Sequence, residues 1–179
     1  MRIEQFIARS EGEWQSMRTG HSLAFKQFEE VLSRIRIKAL ELDNPKVIAL
    51  LDSSSKQNAK HIAPFQMEWE AESEWETEQS NNLSSGSCIL IPIPISTKQG
   101  IILRSLGYAE AVKAISNYEF LSDGTFSLTT TYEHSIAEEK IWFVSENVRC
   151  RFSVIKTSTG EGVIQTSFAS EVRQLNILE

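Results

Sequence analysis

Cysteine is scarce in this 179-residue chain, which has only Cys88 and Cys150, with no CxxC pair and no histidine-rich spacing around them. That excludes a disulfide-stapled scaffold, gives no zinc-ligand pattern and fits a reducing compartment, so no metal is expected. Positive charge is short as well. Lys and Arg total 18 against 24 Asp and Glu, a formal net charge of −6, whereas a protein that tracks a phosphate backbone shows a basic surplus on one face. No nucleic-acid partner is expected. No stretch reaches the roughly 20 apolar residues of a membrane helix. The opening "MRIEQFIARSEGEW" also lacks the apolar core and small-residue cleavage site of a secretory leader. A soluble protein without a membrane partner, retained where it is made, is the expectation.

Helical periodicity is confined to two short segments. In "RIEQFIARS", Ile3, Phe6 and Ile7 recur at helical spacing before Gly12, predicting a short amphipathic helix that acts as a lid. In "DNPKVIALLDSS", Asp43 or Asn44 can cap, Pro45 suits the first turn, and Val47, Ile48, Leu50 and Leu51 form an apolar side. Everything else is strand-like: "EWQSMRTGHSLAF", "SRIRIKALEL", "IAPFQMEWEAESEWET", "SCILIPIPI", "GIILRSL", "AVKAISNYEFL", "FSLTTTYEHS", "EEKIWFVS", "VRCRFSVIKTS" and "GVIQTSFASEVRQ". Turn signals such as Asp123-Gly124 and Gly160-Glu161-Gly162 separate them. About ten short strands with hairpin-length connections predict an all-β fold, a single antiparallel up-and-down barrel of the lipocalin or fatty-acid-binding type spanning residues 1–179. Such a barrel encloses room for one small ligand. Gly12-x-Trp14 resembles a lipocalin opening, with Trp14 as a plug for the barrel floor.

Strand parity sorts the chemistry-bearing residues. Met67, Trp69 and Trp75 share one face of the third strand, while Glu68, Glu70, Glu72, Glu74 and Glu76 hold the other. The aromatic face is either barrel core or a surface on which a planar ligand stacks. In "ENVRCRFSV", Arg149, Arg151 and Ser153 share a face opposite Val148, Cys150, Phe152 and Val154, and Ser167, Ala169, Glu171 and Arg173 share another. Cys150 reads as a small buried hydrophobe. Two assignments remain open: arginines outside with the apolar residues inside, or arginines lining a cavity. In the second case a guanidinium about 4 Å from a carboxylate gains on the order of 4 kcal/mol at an effective dielectric near 20. Two such forks suit a dicarboxylate. Arg18, with His21 on the opposite face, and the acceptors Glu139 and Glu171 would complete a pocket for a planar, N–H-bearing dicarboxylate, a linear tetrapyrrole.

The order Ser10, Gly12, Trp14, Ser16, Arg18, His21, then Met67, Trp69 and Trp75, then "GYAE" (Gly107 to Glu110), "EEKIWFVSENVRCRFS" and "SFASEVR" resembles the S-type phycobiliprotein lyases, the CpcS/CpeS family, over nearly the whole chain. The resemblance implies a lipocalin-type barrel that takes no cofactor. It would bind a bilin without covalent attachment, phycocyanobilin first and phycoerythrobilin second, as its substrate. It would deliver that bilin to a cysteine of an apo-phycobiliprotein subunit of phycocyanin, allophycocyanin or phycoerythrin. It also implies that Arg149 and Arg151 clamp the propionates with Arg18 assisting, and that Glu139 and Glu171 contact or protonate the pyrrole nitrogens. Met67, Trp69 and Trp75 would shape the pocket, with His21 needed for activity and Ser153 a polar neighbour. The implied setting is cyanobacterial cytoplasm or plastid stroma, as a monomer, a homodimer or a heterodimer with a paralogous subunit. Ser22, Lys140 and Glu146 depart from the family pattern, which leaves the S-type and U-type branches both open.

Overall fold

The structure, a computed structural model, describes residues 1–56, 62–72, 85–159 and 162–175. Helix α1 (Ile3–Ser10) leads into β1 (Gly12–Ser22) and β2 (Gln27–Ala39), and α2 (Pro45–Asp52) follows. The chain continues through β3 (Phe65–Glu72), β4 (Ser85–Pro94), β5 (Gln99–Arg104), β6 (Ala114–Phe120), β7 (Phe126–Thr131), β8 (Ser135–Phe143), β9 (Val148–Thr157) and β10 (Val163–Arg173). Each strand pairs antiparallel with its neighbour in sequence, and β1 also pairs with β10, so ten strands close into the expected up-and-down barrel with no free edge. β2 starts earlier than alternation suggests. Gln27–Leu32 has no clean period, yet it continues the ladder against β1, placing His21 opposite Phe28 and Arg18 opposite Val31.

The apolar run of β4 has a structural cause, since both of its faces are covered. Cys88 and Leu90 belong to the barrel core, whereas Ile89, Ile91 and Ile93 lie on the outside beneath Val47, Leu50 and Leu51 of α2. Helix α2 begins as predicted, with the Asn44 side chain accepting a hydrogen bond from the Lys46 amide at 3.0 Å and Pro45 in the first turn. Pro92 and Pro94 fit in β4 because the ladder to β3 ends at Leu90, opposite Phe65, so the missing amide donors break no bond to that strand. Among the described residues, no helix is long and apolar enough to cross a membrane.

Helix α1 stoppers one end of the barrel. Its buried side, Ile3, Phe6 and Ile7, enters the core, where Phe6 stacks on Phe126 at 4.1 Å between ring centroids and meets Phe120 and Phe143 edge-on. Trp14 is fully buried, and its indole nitrogen donates to the Ser10 carbonyl at 2.9 Å, which ties the end of the helix to the barrel floor. The carbonyls left over at the helix C-terminus are taken by Arg173 of β10, which donates to Glu11 and, at 2.6 Å, to Arg9. Gly12 makes the turn between helix and strand at φ +113°, where a side chain would also stand 2.8 Å from the Arg173 guanidinium.

Candidate functional site

Above this floor the barrel encloses a cavity of about 540 Å³, lined among others by Arg18, Met67, Trp69, Arg104, Tyr108, Arg151, Ser167 and Glu171. A smaller void of about 50 Å³ lies beneath it, bounded by Phe6 and Ile7 of α1 and by Arg104, Glu139, Arg149 and Arg151. The volume of the larger cavity falls in the range of roughly 300–1,000 Å³ typical of small-molecule sites.

The structure resolves the choice that parity left open. The arginine face of β9 points inward and the apolar face outward: Arg149 is 1% exposed, while Phe152 is 37% exposed. Register explains this, because Arg149 lies directly opposite Glu171 of β10 and their side chains form a buried ion pair. The Arg149 guanidinium also rests 4.4 Å from the Trp14 ring centroid. Arg151 Nε lies 3.7 Å from the other oxygen of Glu171. Across the barrel, Arg104 of β5 donates to Glu139 of β8 at 2.9 Å, each side chain 4% exposed. Three guanidiniums therefore meet two carboxylates, so this buried cluster by itself carries one positive charge in excess. Arg104 Nε, Arg149 Nη2 and Arg151 Nε are buried without a hydrogen-bond acceptor. Buried donors in this state favour an incoming anion.

Burial and pairing set the ionisation of this cluster. For Glu171, burial alone would raise the carboxyl, but Arg151 and Arg149 outweigh it and hold it below the usual carboxylate range. Burial likewise works against the charge of Arg151 and Arg104, yet facing glutamates keep both above the ordinary arginine value. Arg149 falls below it, through burial and the nearness of Arg151 and Arg173. The cavity thus presents Glu171 as a fixed carboxylate, an acceptor rather than a proton donor.

The predicted site residues separate into layers. Arg18, Met67, Trp69, Arg151 and Glu171 line the large cavity; Arg18 stands in its upper part, 3.4 Å from Glu29 and partly exposed. Arg149 and Glu139 do not line it, and both belong to the lower void. Arg149, expected to clamp a propionate, thus sits a layer below Arg151, with its guanidinium against Glu171 and Trp14. Ser153 is 2% exposed behind Tyr108 and Ser167, bonded to the former at 2.9 Å and the latter at 2.7 Å. His21 lies on the outer face, opposite in direction to Arg18 as parity implies: odd positions of β1 point outward, and its ring packs at 4.7 Å from that of Phe28, which is 81% exposed. Cys150, expected to be buried, is half-buried on the outer face instead, opposite Trp142. Trp75 lies outside the described residues. Trp69 lies flat against the barrel wall over Gly86, where a Cβ would come within 2.4 Å of its ring.

Arg104 and Tyr108 were missed by sequence reading. Arg104 follows the apolar run of "GIILRSL", and parity with the buried Ile102 could have placed it inside. Tyr108 sits in a connection without periodicity, so its direction was not readable from spacing.

Comparisons with known proteins agree with this architecture. The chain is similar to "Chromophore lyase CpcS/CpeS 3" of Trichodesmium erythraeum, 49% identical over 97% of this chain and 99% of that protein. It is 44% identical to a provisionally named phycoerythrobilin lyase CpeS of Microchaete diplosiphon, over 88% of this chain and 71% of that one. The solved structure of the S-type phycobiliprotein lyase CpeS from Guillardia theta superposes with a TM-score of 0.82 at 33% identity, covering 98% of this chain and 94% of that one. With residues 2–174 matching the family model described as CpeS-like protein, the chain belongs to the CpeS-like family of chromophore lyases.

Proposed function

We propose that this protein is a phycobiliprotein chromophore lyase. It holds a linear tetrapyrrole non-covalently in the large cavity and presents it to a cysteine of an apo-phycobiliprotein subunit. The observation that carries this reading is the buried cluster of three arginines and two glutamates, with one surplus positive charge and donors without acceptors, at the base of a cavity of about 540 Å³ flanked by Met67 and Trp69. A bilin supplies the complement, with carboxylates for the guanidiniums and a flat conjugated surface for the tryptophan. Arg151 is the carboxylate-binding residue of the floor, Arg18 that of the upper cavity, and Arg104 the neighbouring cation. Arg149 and Glu139 act through their partners and position Glu171 and Arg104. Glu171 accepts hydrogen bonds from pyrrole N–H groups and thereby favours a protonated, cationic bilin.

The transfer needs little covalent chemistry from the barrel. A thiolate of the acceptor subunit adds to the exocyclic double bond of the bilin A ring. A carbon–sulfur bond forms, the thiol proton ends on the tetrapyrrole, and nothing is oxidised. Free cysteine, with a pKa of about 8.5, already has some thiolate at neutral pH. The protein contributes orientation and exclusion of side reactions by holding one bilin shape with its A ring accessible. A cationic bilin is the more electrophilic one.

The test is an absorbance titration with phycocyanobilin and, separately, with phycoerythrobilin, on wild type and Arg151→Ala, followed by addition of apo-subunit. A saturable, red-shifted complex that Arg151→Ala weakens by tenfold or more, and that passes bilin to the subunit, is expected. A complex without transfer would make the protein a carrier. No spectral change with either bilin would overturn the reading.

A further inference from the structure

The connection between β5 and β6 lines the cavity from Leu106 to Ala111, and it is firmly anchored. The Tyr132 phenol oxygen accepts from the backbone amides of Tyr108 at 2.6 Å and Ala109 at 3.4 Å. Gly107 packs so closely on Tyr132 that a Cβ there would lie 2.6 Å from its ring. Glu110 accepts from the Ser135 hydroxyl at 2.9 Å. The backbone being fixed, the Tyr108 side chain reaches the opposite wall, where its hydroxyl meets Ser153 at 2.9 Å and Ser167 at 3.5 Å. Ser153 and Ser167 face each other in the β9–β10 register and bond at 2.7 Å. Three hydroxyls own three protons, and the two short contacts use two of them. The third stands in the long 3.5 Å contact between Tyr108 and Ser167, both of which line the cavity, so a better-placed acceptor there can take it.

We propose that Tyr108, Ser153 and Ser167 form a neutral hydroxyl subsite that donates a hydrogen bond to an uncharged carbonyl of the bound tetrapyrrole, of the kind its terminal lactam rings carry. This rests on the bilin reading above and adds to it a second anchoring point. Position on the strand separates the two: Ser153 follows Arg151 by two residues on the same face, a step of about 7 Å. A carboxylate finds a cation at the lower level, where charge-assisted bonds are stronger, and the neutral donors above suit a neutral acceptor. Loss of a single neutral hydrogen bond of this type corresponds to about three- to tenfold in affinity.

The experiment measures Kd for phycocyanobilin and for its dipropionate dimethyl ester, with wild type, Tyr108→Phe and Arg151→Ala, alongside thermal melting. Tyr108→Phe keeps the ring over Ser153 and removes only the hydroxyl. The expected result is a melting temperature near wild type, with both pigments weakened by a similar factor and an altered absorbance maximum. Arg151→Ala should weaken the free acid alone. An unchanged Kd and spectrum in Tyr108→Phe, or a penalty confined to the free acid, would overturn the proposal, the latter by showing that the hydroxyls meet a carboxylate. Should Tyr108→Phe not fold, Ser167→Ala carries the same comparison. If wild type takes up neither pigment, the bilin reading itself fails, an outcome distinct from the others.

Discussion

Arg149 and Glu171 face each other across β9 and β10, both 1% exposed, with the guanidinium over the ring of Trp14. This pair joins the end of the barrel closed by α1 to the wall of the ligand cavity, so it bears on stability and on binding at once.

Removing one partner leaves a buried charge uncompensated, which costs on the order of 3–5 kcal/mol. Arg149→Ala and Glu171→Ala are each expected to lower the urea midpoint steeply. Arg151→Ala should be milder, because Arg151 is 15% exposed and its ion pair is longer, at 3.7 Å. Equilibrium unfolding followed by tryptophan fluorescence distinguishes these. Equal losses for Arg149 and Arg151 would contradict the division into a structural and a ligand-facing arginine.

The same pair sets an acid limb. Glu171 has its carboxyl held below its ordinary value of 4.5, so the folded state binds its proton less readily than the unfolded chain does. The stability this contributes is fully present above about pH 4.5 and is lost as pH falls through the lower folded value. Urea midpoints measured between neutral pH and acid should fall below that point. Glu171→Gln should be less stable at neutral pH and flatter through the acid range; a variant with the wild-type slope would rule Glu171 out as the source.

Gly86→Ala tests how Trp69 is placed. A methyl group there would lie 2.4 Å from the indole, so the ring must leave the wall and enter the cavity. Overpacking of this kind costs about 1–3 kcal/mol. A modest drop in melting temperature, a shifted tryptophan emission and weaker bilin binding are expected. Unchanged bilin affinity would mean that the flat seat of Trp69 is irrelevant to the ligand.

The cysteines should be dispensable for transfer. Cys150 is on the outer face with its thiol pushed up by burial and by Glu171, a poor nucleophile at neutral pH. Cys88 is buried, its sulfur 3.2 Å from the Leu106 carbonyl. A Cys88→Ser, Cys150→Ser double variant is expected to bind and deliver bilin in the absorbance assay. Retained binding with lost delivery would point to a covalent relay.

His21→Ala should leave the equilibrium Kd for bilin within about twofold of wild type, because its ring packs on Phe28 outside the barrel and no bilin contact is lost. A tenfold rise in Kd would place a ligand at the outer rim beside β1 and β2.

Sequence alone determined an antiparallel all-β fold of about ten strands, since period-two alternation, short turns and only two helical segments disfavour an α/β sheet, and the pairing of β1 with β10 made it a barrel. Sequence also determined which residues travel together on a face: Arg149 with Arg151 and Ser153, Met67 with Trp69, Glu171 with Ser167. Both are local properties, carried by strand geometry and independent of what lies across the sheet. Which face is inside was decided by closure of the barrel. Val148, Cys150 and Phe152 were as able to face the core as the arginines, but register set Arg149 against Glu171 and Trp14, and partners inside the wall made burial of the cation tolerable. The depth of each residue, with Arg151 at the cavity, Arg149 below it and Ser153 behind Tyr108, depends on neighbours distant in sequence. Alternation cannot encode those distances, and the roles of Arg104 and Tyr108 appear only once β5 and its following connection are laid against β8, β9 and β10.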